Sequence, residues 1–126
     1  MMQTERTFIP VYSSKGDTEA YLVYPYLYDS RGEWIGFVTR DREVYSVYGQ
    51  YVGWLSDDPR VLRKRTYSFS KPKISPPPNP GRLSVPSLGP LAPMMPELTY
   101  DVVDILLDEP DKLPTLDSGE YKADLD

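Results

Sequence analysis

The chain has no cysteine and no histidine among its 126 residues. Disulfide staples, thiolate and imidazole metal clips, thiol nucleophiles and imidazole general bases are thereby excluded. No stretch approaches the ~18 consecutive apolar residues of a membrane-spanning helix. The first ten residues, MMQTERTFIP, lack the apolar run of a secretory signal. Cations are outnumbered, 14 Lys/Arg against 19 Asp/Glu for a net charge of −5. That balance argues against nucleic acid, because phosphate contacts need a basic face. The one basic run, Arg63-Lys64-Arg65, reads as a solvated strand edge. The expectation is a soluble, cytoplasmic protein with neither nucleic acid nor membrane as partner.

What the chain does contain is unevenly spread. Residues 1–70 hold nine of the 11 tyrosines and balance nine basic against nine acidic side chains. Residues 71–96 hold nine of the 14 prolines and no acid, and residues 97–126 carry ten acidic groups against two basic. Only residues 1–70 have the apolar density of a folded core. A unit of that size buries only ~60% of the surface its unfolded chain exposes. It therefore needs help, either from self-association or from the C-terminal segment packing back onto it. The organisation expected is a β-repeat domain (1–70), an extended proline-rich arm (71–96) and an acidic tail with a short amphipathic helix (97–126).

The repeat domain shows its period directly. Val11–Val23 (VYSSKGDTEAYLV), Leu27–Thr39 (LYDSRGEWIGFVT) and Val44–Ser56 (VYSVYGQYVGWLS) superimpose, with starts 16 and 17 residues apart. Each opens with an aliphatic residue and a tyrosine, then places a glycine (Gly16, Gly32, Gly49), a small residue (Ala20, Gly36, Gly53) and an aromatic (Tyr21, Phe37, Trp54). A fixed period of this kind sets architecture before any single residue does. Asp29-Ser30-Arg31-Gly32 carries Asp to open a turn and Gly to close a bulged hairpin, and the other two units fill the same slots. Flanking residues are β-branched or aromatic, as strands prefer. No helical i, i+3, i+4 stripe persists.

Alternation along the second strand of each unit puts Trp34, Gly36 and Val38 on one face and Ile35 and Phe37 on the other. A small residue inside a strand weakens it unless a neighbouring backbone or ring must come close. Ala20, Gly36 and Gly53 are therefore expected at a crowded centre. A shorter fourth copy from Val61 (VLRKRTYSFS) lacks the turn glycine. It is expected to supply a closing strand, paired with Thr7-Phe8-Ile9-Pro10.

These units resemble the bacterial four-fold β-flower domain, the resemblance running from Phe8 to Phe69. It implies an all-β domain of four hairpin-like repeats about a pseudo-four-fold axis. It implies no activity and carries over no catalytic residue.

Beyond the repeats, proline excludes both sheet interior and helix from residues 71–96, leaving polyproline II. Leu83, Val85, Leu88, Leu91, Met94 and Met95 are too many apolar residues for a plain spacer, and such a segment can lie in a groove. Pro77, Pro80 and Arg82 fit a PxxPxR ligand pattern, though chance suffices in so proline-rich a stretch. Glu97–Asp108 (ELTYDVVDILLD) is the one expected helix. It places Leu98, Val102, Ile105 and Leu106 on one face, to dock on the β domain, on a second copy or on another protein.

For chemistry, Asp57-Asp58 and Asp101/Asp104/Asp108 are the notable acidic groupings. Neither has the spacing of a calcium loop. No metal, cofactor or catalytic residue is expected, and the protein reads as a non-enzyme. Two functions remain open. One is a structural and protein-interaction module, with the arm docking on a partner or on itself. The other is a small-ligand domain, for glycans or nucleotide-like molecules, using an aromatic cleft between repeats. Trp34, Tyr51 and Trp54 are the candidate contact residues on the repeats; Leu98, Val102, Ile105 and Leu106 are those on the tail.

Overall fold

Three hairpin turns share one hydrogen-bond pattern, and that pattern organises the computed structural model, which describes residues 7–116. In each turn the opening residue accepts from the glycine N–H: Ser13 from Gly16 (2.9 Å), Asp29 from Gly32 (3.0 Å) and Ser46 from Gly49 (2.9 Å). The opening side chain also caps the turn, as where Asp29 Oδ1 accepts from the N–H groups of Arg31 and Glu33. All three glycines have φ between +83° and +94°, backbone that an L-residue adopts only under strain.

The turns join β1 (Ile9–Tyr12) to β2 (Thr18–Val23), β3 (Tyr26–Asp29) to β4 (Trp34–Val38) and β5 (Glu43–Ser46) to β6 (Tyr51–Leu55). A fourth unit pairs β7 (Val61–Lys64) with β8 (Val102–Asp104). All eight strands form one curled antiparallel sheet in chain order. This is the expected all-β architecture of four strand pairs about a pseudo-four-fold axis, with one short helix, α1 (Ile105–Asp108), near the C-terminus. Among the described residues no helix is long and apolar enough to cross a membrane.

The register repeats as well. Val11 faces Ala20, Leu27 faces Gly36 and Val44 faces Gly53. In each unit the next pair skips a residue (Glu19, Ile35 or Val52), so the same β-bulge recurs three times. A bulge re-aims side chains. Ile35 therefore shares a core cluster with Val38, where strict alternation placed them on opposite faces. The aliphatic openers Val11, Leu27, Val44 and Val61 are all 0% exposed, and Val103, Ile105 and Leu113 pack into the same cluster. Full burial of each such side chain contributes about 1.5–3 kcal/mol.

The small residues opposite the openers sit against neighbouring backbone. A Cβ on Gly36 would collide with the Tyr45 carbonyl and lie 3.1 Å from the Leu113 side chain; one on Gly53 would collide with the Leu62 carbonyl. Ala20 is fully buried.

The run Arg63-Lys64-Arg65 is not a solvated edge throughout, since Arg63 is buried, and two further expectations need correction. Thr7–Pro10 does not close the sheet against the fourth copy: β1 pairs with β2, and β6 occupies one edge of β7. The free edge of β7 is taken instead by β8, in the register Leu62↔Asp104, Arg63↔Val103, Lys64↔Val102. The helix expected over 97–108 is for the same reason confined to Ile105–Asp108. Twelve residues are marginal as an isolated helix, whereas an unpaired strand edge offers ready-made partners to β-branched Val102-Val103. Asp104 then caps the shortened helix, its side chain accepting from the Leu107 N–H (3.3 Å). The acidic end of the tail, residues 117–126, lies outside the described residues.

Gly36→Val and Gly53→Val should each cost about 3 kcal/mol or more, because overpacking here meets backbone that cannot move aside. Gly16→Ala meets nothing within 4 Å, so it should cost only the ~1–2 kcal/mol of a left-handed L-residue. Urea melts of the three variants give the comparison; equal, mild losses would show that the strand crossings are not crowded.

Candidate functional site

Between β7 and β8 the proline-rich arm does not hang free. It passes over the hairpin units in reverse order. The Ile74 N–H donates to the Gly49 carbonyl (3.0 Å), and the Leu83 N–H donates to the Gly32 carbonyl (3.0 Å). A Cβ on either glycine would strike the same arm residue's carbonyl. The two glycines thus serve both turn geometry and close approach of the arm. At the first unit the Thr18 hydroxyl donates to the Pro90 carbonyl (2.9 Å), and at the fourth Arg60 donates to the Pro96 carbonyl (3.1 Å). The arm is a strap across the sheet. A sequence signal for it existed: Lys73-Ile74-Ser75 and Arg82-Leu83-Ser84 echo each other nine residues apart. Within the PxxPxR pattern, Arg82 is exposed and pairs with Glu33 of its own chain at 3.4 Å.

In its last part the strap has a burial period of three. Ala92, Met95 and Leu98 are half-buried, while the residues between them are exposed. Three residues per turn is the polyproline II repeat. Along the outer edge Leu88, Leu91 and Met94 are 87%, 92% and 98% exposed. From Leu83 to Pro96 there is no charged residue.

A polar lock seats the returning strand. Asp104, almost fully buried, accepts from both the N–H (2.7 Å) and the hydroxyl (2.6 Å) of Ser14. Arg60, also buried, donates to the Ser14 hydroxyl (2.9 Å) and to Asp58 (2.7 Å). Burial pushes the Asp58 carboxyl up, but hydrogen bonds from Arg60 and Ser56 outweigh it and hold the group below its ordinary 3.8. Arg63 and Glu109 form a second clamp at 2.7 Å. The hydrogen bond from Arg63 holds Glu109 below its ordinary 4.5 against the opposing effect of burial.

Aromatic rings form a ladder across β4, β5 and β6 into the segment after β7: Phe37–Tyr45 stacked at 5.5 Å, then Tyr45–Tyr51 (5.7 Å), Tyr51–Tyr67 (5.2 Å) and Tyr67–Phe69 (5.0 Å). Lys71 lies over Tyr51, and both Arg63 and Lys112 lie over Phe69. Tyr45 donates to Glu43 (2.9 Å), and burial with that bond pushes its pKa to about 12. It is a neutral donor, not an activated phenolate. An open cleft of about 240 Å³ is bordered by Tyr48, Tyr51, Phe69, Asp111 and Lys112.

The sequence-derived candidates do not form one site. Trp34 is buried and donates its indole N–H to the Gly36 carbonyl (2.7 Å). Tyr51 stands in the ladder, half-buried, and Trp54 is half-buried opposite Leu62 and Glu43. Ile105 is core, with Leu106 packed against it. Val102 lies in β8, and with Leu98 it lines a cleft beneath the strap. Tyr48, Phe69 and the lock around Asp104 were not singled out, since their partners are distant in sequence.

The family model described as "4-fold beta flower protein" matches residues 9–103. No curated protein and no solved structure matches the chain. The matched span extends past the repeats at residues 8–69 to take in the strap and the start of β8.

Because Glu109 titrates lower in the folded chain, its contribution is complete above its unfolded value of 4.5. It is lost as pH falls below that value and through the folded one. Stability measured by urea melts should therefore fall below about pH 4.5. Glu109→Gln should remove part of that acid dependence and lower stability at neutral pH by roughly 1–3 kcal/mol. An unchanged acid limb would show that the clamp does not hold the tail.

Proposed function

The chain belongs to the 4-fold beta flower family, and on that premise we propose that it is a non-enzymatic protein-interaction module. The β-flower body is its platform and the outer edge of the strap faces the partner. The three-residue exposure period along the strap carries this reading. It sets Leu88, Leu91 and Met94 outward on a backbone already extended and tethered at both ends. A preformed polyproline II ligand loses little entropy on docking. Its prolines contribute carbonyl acceptors and no N–H donors. The partner chemistry that fits is a domain with an aromatic-lined groove that takes the proline edge and donates hydrogen bonds to it. An uncharged, apolar edge suits neither nucleic acid nor an anionic membrane. A cytoplasmic location belongs to the same reading.

The competing reading, a glycan or nucleotide-like ligand on the aromatic cleft, has the partly exposed Tyr48, Tyr51 and Phe69 in its favour, with Lys112 and Asp111 at the rim.

Affinity capture with the full chain and with a Leu91→Ser/Met94→Ser variant tests the first reading. Proteins held by the wild type should be lost from the variant, with binding of the purified partner at least about tenfold weaker. Melting temperature should not change, since both side chains are in solvent. Equal retention would overturn the strap as the contact edge. A concentration-dependent mass that the variant abolishes would make the partner a second copy. Shifts in Tyr or Trp fluorescence with a glycan or nucleotide panel, unaffected by the variant, would favour the ligand reading instead.

A further inference from the structure

The strap crosses the hairpin-turn end of the sheet and leaves the opposite end, where the units connect, uncovered. There Leu22, Val38 and Leu55 line one cleft of about 450 Å³. Each stands two residues beyond the small residue of its unit, Ala20, Gly36 or Gly53. Three repeat-equivalent side chains on one cleft place it on the pseudo-four-fold axis. These three form a buried floor, and Ile9 (38% exposed) and Tyr24 (56% exposed) form walls.

The rim is cationic. Arg40 and Arg42 both line the cleft, and among the described residues no carboxylate does. Arg42 is held in place by the carbonyls of Leu55 (2.8 Å) and Ser56 (2.7 Å), with the exposed Asp57 3.8 Å away. Arg40 is exposed and, among the described residues, forms no ion pair. The neighbouring Asp41 is exposed and does not line the cleft. An apolar floor beneath two guanidinium groups, one pre-ordered and one unpaired, is complementary to a molecule with an apolar body and a single anionic end. Arg presents planar, paired donors suited to a carboxylate.

We propose that this axial cleft binds a free medium-chain carboxylic acid. The alkyl body lies against Leu22, Val38, Leu55 and Ile9, and the carboxylate reaches Arg40 and Arg42. The site is separate from the strap edge and from the aromatic ladder, so it stands whether or not those surfaces serve a partner.

Titrating the full chain with sodium decanoate below its micelle concentration, by calorimetry and amide chemical shifts, tests this. The expected result is saturable binding, with shifts at Ile9, Leu22, Val38 and Leu55. Decanol, which lacks the charge, should bind at least about tenfold more weakly. Arg40→Glu, at an exposed and unpaired position, should leave melting unchanged and weaken decanoate by about tenfold or more while sparing decanol. Ile9→Ser should weaken both. Absence of saturable decanoate binding would overturn the proposal. So would equal affinity for decanol, or decanoate binding unaffected by Arg40→Glu.

Discussion

An unpaired strand edge in a small sheet is costly, and in this chain that edge belongs to β7. Three units form hairpins from contiguous sequence, but the fourth copy breaks off after its first strand. Its backbone N–H and C=O groups must find partners, and β8 supplies them from nearly forty residues downstream. The strap follows from that connection. To return to β7 from the far side, the chain must cross the hairpin turns, and it hydrogen-bonds to Gly49 and Gly32 on the way. The core follows too, because Val103, Ile105 and Leu113 complete the aliphatic cluster begun by Val11, Leu27, Val44 and Val61. With no cysteine and no histidine in the chain, this long-range strand addition does the stapling that a domain of this size needs.

Polar groups fasten the return. Arg60, Arg63 and Asp104 are buried, and each is spent on a partner that fixes the tail: Arg60 and Asp104 through Ser14, Arg63 through Glu109. Buried charges of this sort add modest net stability but are costly to break singly. A slipped register of β8 would separate Asp104 from Ser14. Tyr45 similarly spends its hydroxyl on Glu43.

Among the described residues, three surfaces outside that lock stand out: the outer edge of the strap, the ladder cleft around Phe69, and the axial mouth between the unit connections. Each presents apolar surface over a rigid scaffold. They differ in chemistry, the first being uncharged, the second flanked by cations over rings, and the third apolar with a guanidinium rim. A four-fold scaffold with one divergent quarter can carry different surfaces at its two ends, since only one end is crossed by the strap.

Local pattern was enough to establish the hairpins, their turn glycines, the crowded Gly36 and Gly53, and the extended character of the proline segment. Each of these is set within a dozen residues, by backbone conformation, side-chain volume or the missing proline N–H. One skipped residue leaves no compositional trace, so the position of each β-bulge, and with it the grouping of Ile35 with Val38, is set by strand pairing and not by alternation. Val102-Val103-Asp104 looked helical for a related reason: the same residues satisfy a helical stripe alone and a strand beside β7. Only tertiary structure chose between them, since the deciding interaction is a ladder to Leu62–Lys64, whose hydrogen-bonding groups no local window contains. The strap over Gly32 and Gly49, the Ser14–Asp104–Arg60 lock and the axial cleft likewise exist only where distant segments meet.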